Sequence, residues 1–140
     1  LTIPSSNIKF GYRKNDLPRD LIFLSASFKG KFKKKDIVKK EIEILKTKKD
    51  KAQPTQVKTG GSTFKNPIGQ TDKKVWELIK LSIPKNISFG GAAISEKHLN
   101  FFVNKNKATF EDMKKLIDFV KKNVKEKTGV NLDLEIEIIG

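Results

Sequence analysis

The first third of the chain alternates between apolar runs and lysine-rich stretches, which predicts two short strands and one helix. Residues 8–13 and the apolar run at residues 21–28 both have the composition of strands. Val38, Ile42 and Leu45 then recur at helical spacing among lysines, so we expect an amphipathic helix from about residue 36 to residue 49. Its lysines would form the face that is exposed to solvent.

Two further helices are predicted downstream. A short helix around residues 75–80 should end before Pro84, because proline cannot continue a helix. A longer helix should begin at Thr109, a capping residue, and end near Gly129, where a left-handed cap is expected. The apolar residues that share one face of this helix are Met113, Leu116, Ile117, Val120 and Val124.

The last residues of the chain alternate between apolar and polar side chains, which predicts a closing strand with one buried face. The residues expected on the buried face are Val130, Leu132, Leu134, Ile136 and Ile138. The residues expected on the opposite face are Asn131, Asp133, Glu135 and Glu137.

Composition excludes several classes of protein. The chain has 140 residues, which is a length typical of one domain, and it has no cysteine for disulfide bonds. No apolar run approaches the roughly 20 residues that span a bilayer, and no signal peptide opens the sequence. We therefore expect a cytoplasmic protein with no membrane partner. Because the chain starts at Leu1, in strand-like sequence, we expect that an N-terminal portion is missing.

The net charge of +14 leaves a nucleic-acid-binding protein as an alternative. Only Arg13 and Arg19 are arginines, however, and aromatic residues are not interleaved with lysines in a regular stacking pattern. We therefore interpret the charge as a solvated basic surface and expect no nucleic-acid partner. A lysine-rich nucleic-acid-binding α+β module without enzymatic activity remains the competing hypothesis.

Residues 60–67 gather the most chemistry into the shortest stretch of the sequence. Gly60 and Gly61 allow unusual backbone dihedrals or the close approach of a ligand, and a hydroxyl follows at Ser62. Lys65 adds a positive charge and Asn66 an amide before Pro67 ends the segment. Taken alone, such a segment is also compatible with a strand-loop turn that carries polar residues.

Four segments, in order along the chain, resemble the UDP-N-acetylenolpyruvoylglucosamine reductase family. They are the pair Tyr12-Arg13, residues 60–67, residues 89–104 with their Ser-Glu-Lys-His sequence, and the closing residues 129–140. The similarity covers nearly all of the chain. Asn15 departs from the serine that is usual in the family two residues after the arginine, and Leu134 departs from a frequent proline.

The resemblance implies an α+β fold in three parts. Residues 1–50 would be the C-terminal tail of an FAD-binding domain, and residues 51–128 an α/β-sandwich domain that binds substrate. Residues 129–140 would form a closing strand that carries an active-site glutamate. The family's FAD-binding segments lie mainly upstream, and no glycine-rich pyrophosphate loop precedes Tyr12. We therefore expect the missing N-terminal FAD-binding portion to be the partner of this chain, which alone would be inactive.

The resemblance also implies an activity. In this family NADPH reduces a bound FAD, and the flavin then reduces UDP-N-acetylglucosamine enolpyruvate to UDP-N-acetylmuramate for peptidoglycan synthesis. By similarity, Ser62 would donate the proton, while Arg13 and Glu135 would bind and polarise the substrate carboxylate. The other substrate-binding residues implied are Tyr12, Gly61, Lys65, Asn66 and His98. Arg13 and Gly60 would also lie against the flavin.

A metal site is not expected. His98 is the only histidine of the chain, and there is no cysteine to join it. A single histidine is more often structural or exposed than a ligand, so its place in a nucleotide-binding region depends on the resemblance.

Overall fold

The computed structural model describes residues 1–139, which form two compact units. The first unit consists of residues 1–34, and the second begins at Lys35. The domain limits implied by the resemblance (residues 1–50, 51–128 and 129–140) stay a prediction.

The first unit contains a short 3₁₀ helix at Ser5–Asn7 and one β-hairpin. Strands β1 (Phe10–Gly11) and β2 (Lys14–Asn15) pair antiparallel, so the two residues between them, Tyr12 and Arg13, form the hairpin turn. Arg13, the second residue of the turn, has a left-handed φ of 58°, which is uncommon for a residue with a Cβ. The Asn15 side chain accepts a hydrogen bond from Leu17 N at 2.9 Å. The asparagine that departs from the family pattern therefore supports the local turn.

The strand predicted at residues 21–28 is wrong. The structure assigns no strand there, and the apolar side chains are exposed, with Ile22 84% and Phe28 92% accessible. A strand needs a neighbour for its backbone N–H and C=O groups, and the described residues provide none for this run. The composition of residues 21–28 is typical of a strand, but composition does not show whether a neighbouring strand is available to pair with it.

The second unit opens with α1 (Lys35–Ala52), which confirms the helix predicted from residue 36 to residue 49. Asp36 lies in its first turn and Lys51 in its last, where each charge is favourable to the helix dipole. None of its residues is buried. The apolar residues Ile42 and Leu45 are also largely exposed, at 46% and 64%.

A four-stranded antiparallel sheet forms the centre of the second unit. Its strands are β3 (Lys58–Ser62), β4 (Ser88–Phe89), β5 (Ala92–Ile94) and β6 (Phe101–Asn104), in the order β3-β6-β5-β4. Helices α2 (Val75–Ser82) and α3 (Phe110–Thr128) pack against each other, and α3 also contacts β4 and β5. This arrangement of one helical layer on one sheet confirms the α+β class and the predicted sandwich.

The core lies between the two helices and the sheet. Leu78, Leu116 and Phe102 are each no more than 3% exposed and belong to one apolar cluster. The predicted capping of α3 is confirmed, because Thr109 Oγ1 accepts from Asp112 N at 3.1 Å and Gly129 has a left-handed φ of 73°. The helix therefore begins and ends where its capping residues predict.

The closing segment follows the predicted alternation only in part. Val130 and Leu132 are buried, whereas Ile138 is 44% exposed. No regular strand forms among residues 129–139, since Leu134 makes a single isolated bridge to Phe64 and the chain then bends at residues 135–136. The bends limit the pairing to a few residues, so the prediction of a continuous closing strand is wrong for the described part of the chain.

The glycine pair of the third family segment has a packing role. Gly90 and Gly91 form the turn between β4 and β5. A Cβ atom on Gly91 would overlap the Asn106 carbonyl oxygen and lie 2.5 Å from Ala108 N. Because these are backbone atoms, they cannot move aside as a flexible side chain would.

We therefore expect Gly91→Ala to lower the free energy of unfolding by at least about 1–3 kcal/mol, the usual cost of overpacking. Gly30→Ala is the control, since no atom lies within 4 Å of a Cβ at that position. Urea unfolding followed by circular dichroism measures both. Equal stability of the two variants would contradict the assigned packing role.

Candidate active site

The Gly60–Pro67 segment begins on β3, an edge strand of the sheet, and leaves it immediately after Ser62. Thr59 pairs with Val103 and Ser62 with Phe101, so β3 contains one residue more than β6 over this interval. Gly61 takes up the bulge with a φ of 89°, a value that residues with a Cβ rarely adopt. Gly61 thus turns the strand, and Ser62 lies half-buried at its end.

The closing segment lies beside the residues that follow Ser62. Glu135 N donates to Thr63 O at 2.9 Å, and Lys65 N donates to Asp133 O at 2.8 Å. These two bonds flank the antiparallel bridge between Phe64 and Leu134. Glu135 is therefore paired with the residue directly after Ser62, and the structure brings two predicted catalytic residues into one neighbourhood.

The Glu135 carboxyl group lies in a sheltered position. The residue is half-buried, and its Oε2 atom has almost no contact with solvent. A carboxyl group withdrawn from water can bind a ligand more strongly than one on the open surface, because the surrounding dielectric constant is lower. The position is suited to the polarising role that the resemblance implies.

Asn66 bonds to the start of α2, whereas Lys65 lies next to the closing segment. The Asn66 Oδ1 atom accepts from Val75 N, the first residue of α2, at 3.2 Å. That contact satisfies one of the backbone donors at the start of the helix, so it is a structural role for Asn66. Lys65 is half-buried and adjacent to the bridge at Phe64. Contact of either residue with substrate stays a prediction.

His98 reaches the same neighbourhood through the strand that pairs with Ser62. Its ring packs edge-on against Phe101 at 4.7 Å between ring centres, and Phe101 is the residue opposite Ser62. The Nδ1 atom accepts a hydrogen bond from Asn100 N at 3.2 Å. Desolvation by burial lowers the pKa of His98 below its ordinary value of 6.5, and a backbone hydrogen bond partly opposes this effect.

The Tyr12-Arg13 pair lies in the first unit. The Arg13 guanidinium is 5.0 Å from the centre of the Tyr12 ring, a cation–π contact. The two residues also occupy the hairpin turn between β1 and β2. The meeting of Arg13 with Ser62 and Glu135, which the resemblance implies, stays a prediction.

Within residues 1–139 there is no group of three His, Cys, Asp or Glu side chains that could hold a metal ion. In the same range no helix is both long and apolar enough to cross a membrane.

Comparison with known proteins decides the family of the chain. The model of the family described as "UDP-N-acetylenolpyruvoylglucosamine reductase, C-terminal domain" matches residues 53–139. The chain belongs to this family. The resemblance inferred from the four sequence segments is thereby confirmed.

Curated UDP-N-acetylenolpyruvoylglucosamine reductases match almost the whole chain. The protein from Pelagibacter ubique is 66% identical over 138 residues, which are 99% of this chain and 46% of that protein. The protein from Rickettsia typhi is 41% identical over 140 residues, which are 100% of this chain and 46% of that protein. The chain thus spans about half the length of these relatives.

A solved structure agrees with the sequence relatives. The crystal structure of UDP-N-acetylenolpyruvylglucosamine reductase from Thermus caldophilus superposes with a TM-score of 0.72 at 31% identity. The match covers 96% of this chain and 47% of that chain. It supports the same fold over nearly every residue of the present chain.

Sequence reasoning missed the buried asparagine of this reductase domain. Asn100 is 6% exposed, and its side chain is hydrogen-bonded to both backbone groups of Phe64. The signal was present in the sequence, because Asn100 directly precedes the apolar run of β6. A polar residue next to a buried strand needs partners, which makes it a candidate for a structural or site contact.

The pKa of His98 gives a test of the geometry around Phe101. Because the chain has one histidine, its imidazole signals can be followed by NMR without ambiguity. We expect a titration midpoint below 6.5, and a return towards 6.5 in Phe101→Ala, which exposes the ring. Circular dichroism would verify that the variant is folded.

The sign of the accompanying stability effect follows from linkage. The folded protein binds the His98 proton less readily than the unfolded chain does, so the contribution of His98 to stability is complete above pH 6.5. It is lost as the pH falls through the folded pKa. A midpoint at or above 6.5 in the unaltered protein would show that the ring is not desolvated as described.

Proposed function

We propose that the complete protein containing this chain reduces UDP-N-acetylglucosamine enolpyruvate to UDP-N-acetylmuramate, with NADPH and FAD, in peptidoglycan synthesis. The present chain would supply the substrate-binding part of this enzyme. The observation that supports the proposal most is the hydrogen bond from Glu135 N to Thr63 O, which pairs the closing segment with the residue directly after Ser62. The family relationship supplies the reaction.

The residues of this chain fit the approach of a flat ligand such as a flavin. A Cβ atom on Gly61 would meet no atom within 4 Å, so the backbone faces open space there. A Cβ on Gly60 would make only an ordinary contact, 3.4 Å from Ile136. We propose that Gly60 and Arg13 lie against the flavin and that Gly61 lies against the substrate.

Bound FAD would supply the hydride chemistry, with NADPH as the hydride source and the enol-ether carbon remote from the carboxylate as the acceptor. Negative charge would then develop on the neighbouring carbon of the substrate and spread into the carboxylate. Ser62 would protonate that carbon, since a carbanion or enolate is basic enough to take a proton from an alcohol. A general acid placed in this way contributes typically about 10²–10⁴-fold to the rate.

Arg13 and Glu135 would act on the carboxylate of the substrate. Arginine is always charged and can bind a carboxylate through two parallel hydrogen bonds. Glu135 would help only as a protonated acid, or with the charge of Arg13 to offset its own, because two bare carboxylates repel each other.

The remaining predicted residues would hold the uridine diphosphate part of the substrate. Lys65 and Asn66 follow Ser62 closely enough to contact oxygens of the same ligand, with phosphate as the natural partner of the lysine. Tyr12 and His98 would contribute further contacts. The half-buried imidazole of His98, with its lowered pKa, would do so as a neutral ring near pH 7.

The part of the enzyme outside this chain would provide most of the flavin-binding surface. In the first unit, Phe23, Leu24 and Phe28 are at least 68% exposed. Large apolar side chains that are exposed together favour burial against another surface. We propose that the FAD-binding half covers them in the complete cytoplasmic enzyme.

Replacement of the proposed acid tests this function. In the complete enzyme, Ser62→Ala should leave flavin reduction by NADPH almost unchanged, because that half-reaction needs no proton from Ser62. Oxidation of the reduced enzyme by the enolpyruvyl substrate should slow by roughly two to four powers of ten. Ser62→Cys should retain more activity, since a thiol can still donate a proton.

Stopped-flow measurement separates the two half-reactions. Ser88→Ala is the matched control, because Ser88 is an exposed serine on another strand of the same sheet, and both rates should stay at the unaltered level. Equal slowing of both half-reactions in Ser62→Ala would instead assign Ser62 to the flavin site. Unchanged rates would contradict the proposed role altogether.

A further inference from the structure

We propose that Asn100 is a positioning residue that holds Ser62 and Glu135 in their working arrangement. The inference rests on the proposed function, because Ser62 and Glu135 are the groups whose positions it explains. Asn100 lies at the start of β6 and is 6% exposed, so it does not act on a ligand from the surface. It acts through the backbone of the residues that follow Ser62.

Asn100 contacts two of the residues that follow Ser62. Its backbone carbonyl accepts from Thr63 N at 2.7 Å. Its side-chain Oδ1 accepts from Phe64 N at 3.0 Å, and its Nδ2 donates to Phe64 O at 2.8 Å. The side-chain amide thus takes the place of a peptide group in a neighbouring strand.

These bonds fix the backbone directly after Ser62, where the regular pairing of β3 has ended. Beyond the bulge at Gly61, β3 no longer pairs regularly with β6, and the Asn100 amide supplies the missing partner on that side. On the other side, Thr63 O and Lys65 N pair with Glu135 and Asp133. The peptide groups of residues 63–65 are therefore fixed from both sides, and Asn100 provides one of those sides.

Packing alone would leave this backbone less well defined. The Phe64 ring is 1% exposed and packs edge-on against Phe102, at 5.7 Å between ring centres. That contact holds the ring, whereas the orientation of the adjacent peptide planes depends on hydrogen bonds. Since Ser62 is two residues from Phe64 and follows a left-handed glycine, its hydroxyl direction depends on those planes.

Asn104 offers a matched control on the same strand. Its Oδ1 accepts from Ala108 N at 2.9 Å and its Nδ2 donates to Ala108 O at 3.4 Å, so it makes the same pair of bonds to a single residue. The pair lies at the opposite end of β6 from Ser62. Asn104→Ala and Asn100→Ala therefore remove similar bonds, and only the second touches the proposed site.

The first measurement is amide hydrogen exchange by NMR on the 140-residue chain. In Asn100→Ala we expect exchange at Phe64 and at Glu135 to accelerate by about tenfold or more, as the loss of a hydrogen bond implies. In Asn104→Ala these two amides should exchange at the unaltered rate, while Ala108 accelerates. Unchanged exchange at Phe64 and Glu135 in Asn100→Ala would overturn the proposal whatever the enzymatic result.

The second measurement is the reaction of the reduced complete enzyme with the enolpyruvyl substrate. Misplacement of Ser62 by Asn100→Ala should slow this step by about 10²-fold, while substrate affinity and flavin reduction by NADPH change little. Asn104→Ala should leave the step close to the unaltered rate. If both variants slow it equally, Asn100 has only a structural role and the proposal fails.

Asn100→Asp adds a readout that general instability would not produce. The aspartate keeps the acceptor for Phe64 N but donates to Phe64 O only when it is protonated. Burial raises the pKa of such a carboxyl group, so the rate of the variant relative to the unaltered enzyme should rise as the pH falls. A ratio that does not change with pH would contradict the role of the Nδ2 donor.

The exchange and rate measurements also separate this proposal from the proposed function. An unaltered complete enzyme that reduces no enolpyruvyl substrate would overturn the proposed function, and with it the catalytic consequence for Asn100. The exchange result would still decide whether Asn100 holds the Glu135 pairing. Conversely, an active enzyme with unchanged exchange in Asn100→Ala would overturn only the positioning role.

Discussion

Residues 63–65 form a short segment whose backbone N–H and C=O groups need hydrogen-bond partners on both of its sides. One side is the closing segment, which pairs through Asp133 and Glu135. The other side is Asn100, which supplies a backbone carbonyl and a side-chain amide. Buried backbone groups without partners are costly, so this double pairing fixes where the chain can run after Ser62. The neighbourhood of the candidate catalytic groups depends on it.

Among the described residues of the second unit, side-chain amides replace strand neighbours at three places. Each one bonds both backbone groups of a single residue: Asn100 at Phe64, Asn104 at Ala108 and Gln70 at Asn131. The regular sheet is small, with strands of two to five residues, so it can satisfy few of the loop residues by itself. The amides extend the pairing beyond the ends of the strands, and the Asn100 amide does so next to Ser62.

Sequence patterns predicted best those elements whose signals are local. The caps at Thr109 and Gly129 define α3, because both act on the helix end next to them. The apolar run at residues 21–28 failed as a strand, because pairing depends on residues distant in sequence. The closing alternation predicted buried positions such as Leu132 correctly and missed the bends that end the pairing after Leu134.

The candidate site was predictable only with the family resemblance. The alternation of the closing residues placed Glu135 on the polar, solvent-facing side of the predicted strand. Nothing in the spacing of the sequence paired Glu135 with Ser62. Their proximity arises from the bridge between Phe64 and Leu134, which joins residues 70 positions apart. The role of Asn100 was not predictable for the same reason, since the partner of its side chain, Phe64, lies 36 residues away. Contacts of this range are properties of the fold and are not encoded in any local motif.

The most direct test of this account is a measurement of the two hydrogen bonds that flank the Phe64 bridge. NMR scalar couplings across hydrogen bonds would be recorded between Glu135 N and the Thr63 carbonyl carbon, and between Lys65 N and the Asp133 carbonyl carbon. We expect both couplings to be detected in the folded chain, since the donor–acceptor distances are 2.9 and 2.8 Å. Absence of both couplings, with rapid solvent exchange of the Glu135 and Lys65 amides, would contradict it.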